Sequence, residues 1–122
     1  MGLGRSLEDY LEAILIVQIE KGEVRSVDVA RQLNFSKPSV THATKELRKK
    51  GYLIMDGDGC LKFTDKGSEL ANQVYERHQF FLKVFTELGV SPEVAEEDAC
   101  KIEHAISQES FEKLKTVLKK SE

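Results

Sequence analysis

Three side chains able to hold a metal ion, a thiol, a carboxylate and an imidazole, stand at i, i+3 and i+4 in the run Cys100-Lys101-Ile102-Glu103-His104. On an α-helix that spacing places all three on one face, where they can converge on a single cation. Wound at about 3.6 residues per turn, the flanking Ala95, Ala99, Ile102 and Ile106 fall on the opposite face, which must pack into protein. The trio is therefore expected to project away from that core. Taken alone, the run also fits a solvated acidic helix that happens to carry one cysteine and one histidine, so its meaning depends on the rest of the chain.

A second chemical feature lies near the N-terminus. Ser6 to Glu20 reads as a helix whose apolar stripe is Leu7, Tyr10, Leu11, Ile14 and Leu15, with Gly22 ending it. Asp9 and Glu12 lie opposite that stripe among Ala13, Ile16 and Ile19, so two carboxylates occupy a partly covered face and require cations or water to satisfy them. A third feature is His78, in the middle of the apolar seam Leu70, Val74, Tyr75, Phe81, Leu82 and Phe85 of a long helix running to about Leu88. Without other metal-binding groups it would read as a core histidine bonded to backbone. The related stripe Val74, Phe81, Phe85 and Leu88 reads as core or dimer interface.

Between these features the spacing is that of a helix-turn-helix. Ser26 is expected to cap a short helix through Leu33, Asn34-Phe35 to turn, and Ser36 with Lys37-Pro38 to open a second helix reaching Lys50. Val40, Ala43, Thr44 and Leu47 should face the core, leaving Thr41, His42, Lys45, Arg48 and Lys49 on the exposed arc. Short polar groups near the helix start suit base edges and cations further along suit phosphates. The candidate DNA-contacting set is Arg25, Ser26, Ser36, Lys37, Ser39, Thr41, His42, Lys45, Arg48 and Lys49. Gly51 stops the helix, and Tyr52–Met55 and Cys60–Thr64 read as strands joined by Asp56-Gly57-Asp58-Gly59. Three helices and a β-hairpin make a winged helix. After the long helix, Gly89-Val90-Ser91-Pro92 starts the helix bearing Cys100, and Ser107 caps a last amphipathic helix with Phe111, Leu114, Val117 and Leu118. The fold class is mainly α with a small β-hairpin: a winged-helix domain over 1–64 and a helical domain over 65–122.

Composition sets limits on function. With 122 residues, 40% apolar and 32% charged, the chain can form one compact core or two small subdomains. No apolar run approaches the roughly 20 residues needed to span a bilayer, and the N-terminus lacks a signal-peptide pattern, so a cytoplasmic location and no membrane partner are expected. Cys60 and Cys100 fall in a strand and a helix, which argues against a disulfide framework and leaves a thiol free for metal. Cys60 has no histidine or acid at ligand spacing and reads as structural. The net charge of −3 averages over two ends of opposite sign. Arg31, Lys37, Lys45, Arg48, Lys49 and Lys50 face the single acid Glu46, whereas residues 93–112 hold seven acids against Lys101. A polyanion-binding module joined to a cation-binding one accounts for that asymmetry.

A winged helix preceded by Leu7-Glu8-Asp9-Tyr10-Leu11-Glu12 and followed by Arg77-His78 and Ala99-Cys100-Lys101-Ile102-Glu103-His104 resembles the DtxR/MntR family of metal-dependent bacterial repressors over almost the whole chain. The resemblance implies an N-terminal domain that binds double-stranded operator DNA, following helices that form a homodimer, and a divalent metal that favours the DNA-binding arrangement. It also implies the ligand set Asp9, Glu12, His78, Cys100, Glu103 and His104. Asp9 and Glu12 match the manganese sensors, where iron sensors carry methionine at the first position. Cys100 matches the iron sensors, where manganese sensors carry glutamate. The chain is a hybrid. The ancillary site of the iron type is put in doubt, because its acid is Leu82 here and its histidine is Glu96, although Glu96 could still assist. The SH3-like third domain of some members is not expected.

Oxygen donors suit Mn(II), imidazole suits Fe(II), Zn(II) or Co(II), and a thiolate shifts preference toward softer ions. Mn(II) or Fe(II) is the expected signal, with Zn(II) or Co(II) binding in vitro. In the switch so implied, metal ties the first helix to the dimerisation helices and sets two recognition helices to successive major grooves, about 34 Å apart. Three rival readings remain: a winged-helix regulator responding to a small organic effector or none, a structural metal in a dimerisation module, and a hydrolytic metalloenzyme. The last leaves no residue over as a base or substrate clamp and gives the basic helix-turn-helix no purpose, so no enzyme activity is expected.

Overall fold

A computed structural model describes residues 3–120 as six helices and one hairpin: α1 Arg5–Lys21, α2 Ser26–Leu33, α3 Lys37–Lys49, β1 Leu53–Met55, β2 Leu61–Phe63, α4 Asp65–Glu87, α5 Pro92–Glu103 and α6 Gln108–Lys120. The chain is mainly α with a small β-hairpin, as the hydrophobic periodicities imply. It divides into two compact units, residues 3–75 and 76–120, and the division falls inside α4. The sequence-based boundary stands at 64/65. The first turns of α4 cluster instead with the winged helix, because Ala71 is fully buried there and Leu70 and Tyr75 pack against the same core.

In the unit of residues 3–75, α1 stops where Gly22 adopts φ 84 and its amide bonds to the Gln18 carbonyl. Leu11, Ile14, Val29, Val40, Leu47 and Leu53 form a core from which water is excluded. Burying such side chains contributes about 1.5–3 kcal/mol each, which is what holds the short α2 in place. Ser36 caps α3, its Oγ accepting from the Ser39 amide at 3.3 Å, and Val40, Ala43, Thr44 and Leu47 are the buried residues of that helix, as its spacing predicts.

Ser26 is not the cap of α2. It is the first helical residue, and Arg25 occupies the cap position with extended backbone. Asp28 supplies the capping interaction from inside the helix by accepting the Arg25 amide on Oδ2 at 3.0 Å. The hairpin pairs Leu53 with Phe63, Ile54 with Lys62 and Met55 with Leu61 in antiparallel register. Two bonds attach it to the segment before α2: the Leu61 amide donates to the Val24 carbonyl at 2.7 Å, and Arg25 reaches its turn. Cys60 is buried, consistent with a structural role.

In the unit of residues 76–120, Phe81, Ala99 and Phe111 form the centre, flanked by Phe80, Leu82, Phe85, Ile102 and Ile106. Phe80 meets Phe81 and Phe111 edge-on, with centroids 5.1 and 5.3 Å apart, an arrangement that aligns ring edges with ring faces. Leu88 lies outside this core and is 74% exposed, since it follows the last turn of α4. Ser107 caps α6 by accepting the Ser110 amide at 3.1 Å.

Candidate functional site

Glu103 organises the second unit. It is the last residue of α5 and wholly buried, which corrects the expectation that the ligand trio projects away from the core. Ala95, Ala99 and Glu103 succeed one another at four-residue steps and share the buried face. A buried carboxylate needs partners, and Glu103 has two imidazoles. Its Oε2 lies 2.9 Å from Nδ1 of His78 and its Oε1 lies 3.1 Å from Nε2 of His104. Burial is the largest influence on the Glu103 carboxyl and raises its pKa. Hydrogen bonds from His104 and His78, with the charge of both rings, together outweigh it and hold the group below the usual carboxylate range.

His78 is itself held from both sides. Its Nε2 stands 2.8 Å from Oε1 of Glu96, opposite the Glu103 contact. Carboxylates only accept, so both contacts are hydrogen bonds together only when both ring nitrogens carry hydrogen. Cys100 is half-buried one turn before Glu103, and His104 follows the helix end with φ −92 and ψ −13. Cys100, Glu103 and His104 each offer a donor atom within 4.8 Å of the other two. This thiol, carboxylate and imidazole fit a divalent first-row transition metal, which both thiolate and imidazole bind well, while His78 meets Glu103 outside that group. The structure thus gathers Cys100 and His104 at Glu103 and separately sets His78 against the same carboxylate, with Glu96 added through His78.

Sequence reasoning assigned no role to Arg77, although it named the Arg77-His78 pair. Its guanidinium is 1% exposed. It donates to the carbonyl oxygens of Glu103 and Ile106 and, at 2.8 Å, to Oε1 of Gln108, and it lies over the Phe111 ring. The available signal was an arginine beside His78 in the helix whose apolar seam builds this core.

In the first unit, Asp9 and Glu12 stand on α1. Asp9 retains 27% side-chain exposure and has Arg5 at 3.9 Å, whereas Glu12 is about nine-tenths buried. The basic face forms as read: Lys37, Ser39, Thr41, His42, Lys45, Arg48 and Lys49 are all exposed on α3. A groove of about 670 Å³ runs between α3 and β1, lined by His42, Lys45, Arg48, Lys49, Ile54 and Met55. Ser36 is engaged by Ser39. Thr41 donates to the Lys37 carbonyl at 3.0 Å, which leaves its Oγ1 lone pairs for another donor.

These features coincide with known families. Residues 2–61 match the iron dependent repressor N-terminal DNA binding domain, and residues 64–122 match the iron dependent repressor metal binding and dimerisation domain. The transcriptional regulator MntR of Salmonella typhimurium is 40% identical over 106 residues, which cover 87% of this chain and 68% of that protein. An uncharacterised HTH-type transcriptional regulator of Methanocaldococcus jannaschii is 34% identical over 122 residues, covering 97% of this chain and 96% of its own length. Among solved structures, ScaR with bound Zn2+ superposes with a TM-score of 0.76 at 27% identity over 93% of this chain and 54% of its own. IdeR of T. acidophilum superposes with a TM-score of 0.74 at 26% identity over 87% and 50%. The chain belongs to the iron-dependent repressor family of metal-responsive DNA-binding transcriptional regulators. It spans about half the length of these solved structures, and no helix among its described residues is long and apolar enough to cross a membrane.

Proposed function

We propose that this protein is a homodimeric repressor of metal-homeostasis genes, which binds operator DNA when Mn(II) or Fe(II) is bound. The observation that carries the reading is the buried Glu103 carboxylate with an imidazole nitrogen at each oxygen and a thiol one turn away. A divalent cation bound among these groups supplies the positive charge that lets acidic donors share a small volume. His78, Cys100, Glu103 and His104 hold it from the second unit, and Asp9 and Glu12 on α1 complete the set. Mixed oxygen, nitrogen and sulfur donors leave Zn(II) and Co(II) able to bind in vitro. The MntR relatives and the zinc-bound ScaR structure support a metal signal of this class.

Residues 1–64 supply the DNA contacts and residues 65–122 the metal and dimer contacts. Lys37, Lys45, Arg48 and Lys49 neutralise phosphates, so affinity falls with salt. Ser39, Thr41 and His42 stand at the start of the recognition helix, where short donors reach base edges. Ser36 holds the first turn of that helix in shape. The function operates in the cytoplasm, where the thiol of Cys100 stays reduced.

Fluorescence anisotropy on a palindromic operator, carried out anaerobically with no metal, Mn(II), Fe(II) or Zn(II), tests the reading. The native protein tightens with metal, and an Asp9→Ala/His104→Ala double variant does not. Equal binding by the native protein in every condition, with the double variant folded, would overturn it.

A further inference from the structure

We propose that Arg77 is the positioning residue of the candidate metal centre, acting through the backbone that carries His104. The inference rests on the proposed function, because it concerns how that site is held. His104 is the ligand candidate least fixed by secondary structure: α5 ends at Glu103, and His104 stands just past it. The last carbonyls of a helix lack intrahelical partners, and buried ones must be satisfied from elsewhere. Here one guanidinium does so on both sides of His104. Arg77 donates through NH1 to the Glu103 carbonyl at 3.1 Å and to the Ile106 carbonyl, and through NH2 to Oε1 of Gln108 at 2.8 Å.

The geometry suits arginine alone. The planar fork reaches two carbonyls and a side-chain amide at once, which the single ammonium of lysine does not. Gln108 is set in turn by its own bond to Oε1 of Glu112 at 2.7 Å, so the brace runs from α4 to the first turn of α6. Arg77 also immediately precedes His78 on α4, whose ring contacts the Glu103 carboxylate. One rigid element therefore presents an imidazole to the site and clamps the backbone that presents the other. Groups that orient metal ligands in this way matter to affinity without touching the ion.

The test is a double-mutant cycle read by Co(II) titration of the full chain, with the thiolate-to-Co(II) charge-transfer band as a second readout. Arg77→Lys weakens Co(II) binding by about tenfold or more while the thiolate band, which reports Cys100, persists. In a His104→Ala background the same substitution changes affinity by no more than about twofold, because the ligand it positions is gone. If Arg77→Lys does not fold by far-UV circular dichroism, Gln108→Ala, at an exposed position, carries the same cycle with a smaller loss. Equal losses in both backgrounds, or unchanged affinity in the native background, overturn the inference while the metal reading stands. A native protein that binds no Co(II), Mn(II) or Zn(II) overturns both.

Discussion

Arg25 donates from NH1 to the carbonyl oxygen of Asp58 at 2.6 Å, tying the start of α2 to the turn of the β-hairpin. The sequence reading placed Arg25 among DNA contacts. The bond gives it a second task, because it and the Leu61–Val24 backbone bond link the wing to the segment before α2.

Arg25→Ala is expected to weaken specific operator binding by loosening the wing while leaving the salt dependence almost unchanged. Lys49→Ala, at an exposed position on the basic face of α3, removes one phosphate contact and lowers the slope of log K against log salt by about 0.9. Binding isotherms at several salt concentrations separate the two. A slope reduced in Arg25→Ala as much as in Lys49→Ala would make Arg25 a phosphate contact instead.

Glu103 ties acid stability to the site. Its carboxyl lies below the reference value of 4.5 in the folded protein, so it contributes stability that is fully present above that value. The contribution is lost as pH falls through the lower folded value. Glu103→Gln should destabilise the metal-free protein at neutral pH by about 1.5–3 kcal/mol, the range for hydrogen bonds to charged groups, and should flatten the acid limb. Melting temperature against pH for both proteins, without metal, reads this directly.

The capping assignment yields a sharp contrast between neighbours. The Asp28 carboxyl is held below its usual range first by the Arg25 amide and then by Lys21. Asp28→Ala should cost about 1 kcal/mol at neutral pH, an effect that fades as pH falls below about 3.8 toward the folded value. Ser26→Ala should cost almost nothing. Urea titrations of both variants check the order, and a larger loss at Ser26 would restore it as the cap.

Gly67 is a packing glycine in the first turns of α4. A Cβ there would stand 1.9 Å from the Tyr52 carbonyl oxygen, and backbone cannot swing aside. Alanine gains about 1 kcal/mol of helix propensity, but forced overpacking costs about 1–3 kcal/mol and more when nothing yields. Gly67→Ala should therefore lower the melting temperature rather than raise it, as a scan of the two proteins will show.

Metal binding should weaken as pH falls. A ring nitrogen of His78 must be without hydrogen and turned from Glu96 or Glu103, and Cys100 must be a thiolate, before either donates to a cation. Proton release measured on Mn(II) addition in weak buffer tests this, and binding independent of pH would remove both residues from the ligand set.

The sequence by itself determined the element order and, in α3, the face the helix buries. Periodicity in α3 selected Val40, Ala43, Thr44 and Leu47 because side-chain direction follows from helix geometry alone. The same local logic marked His78, Cys100, Glu103 and His104 as chemically unusual. Only the tertiary structure decided what depends on chain segments distant in sequence. Glu103 is buried because α5 packs with Ala95 and Ala99 inward, so the carboxylate meets imidazoles from two elements. Arg77 clamps carbonyls 26 and 29 residues away, and Gly67 is required by the approach of Tyr52. Such contacts form between surfaces that share no spacing, and a pattern of residue types cannot record them before the chain has folded.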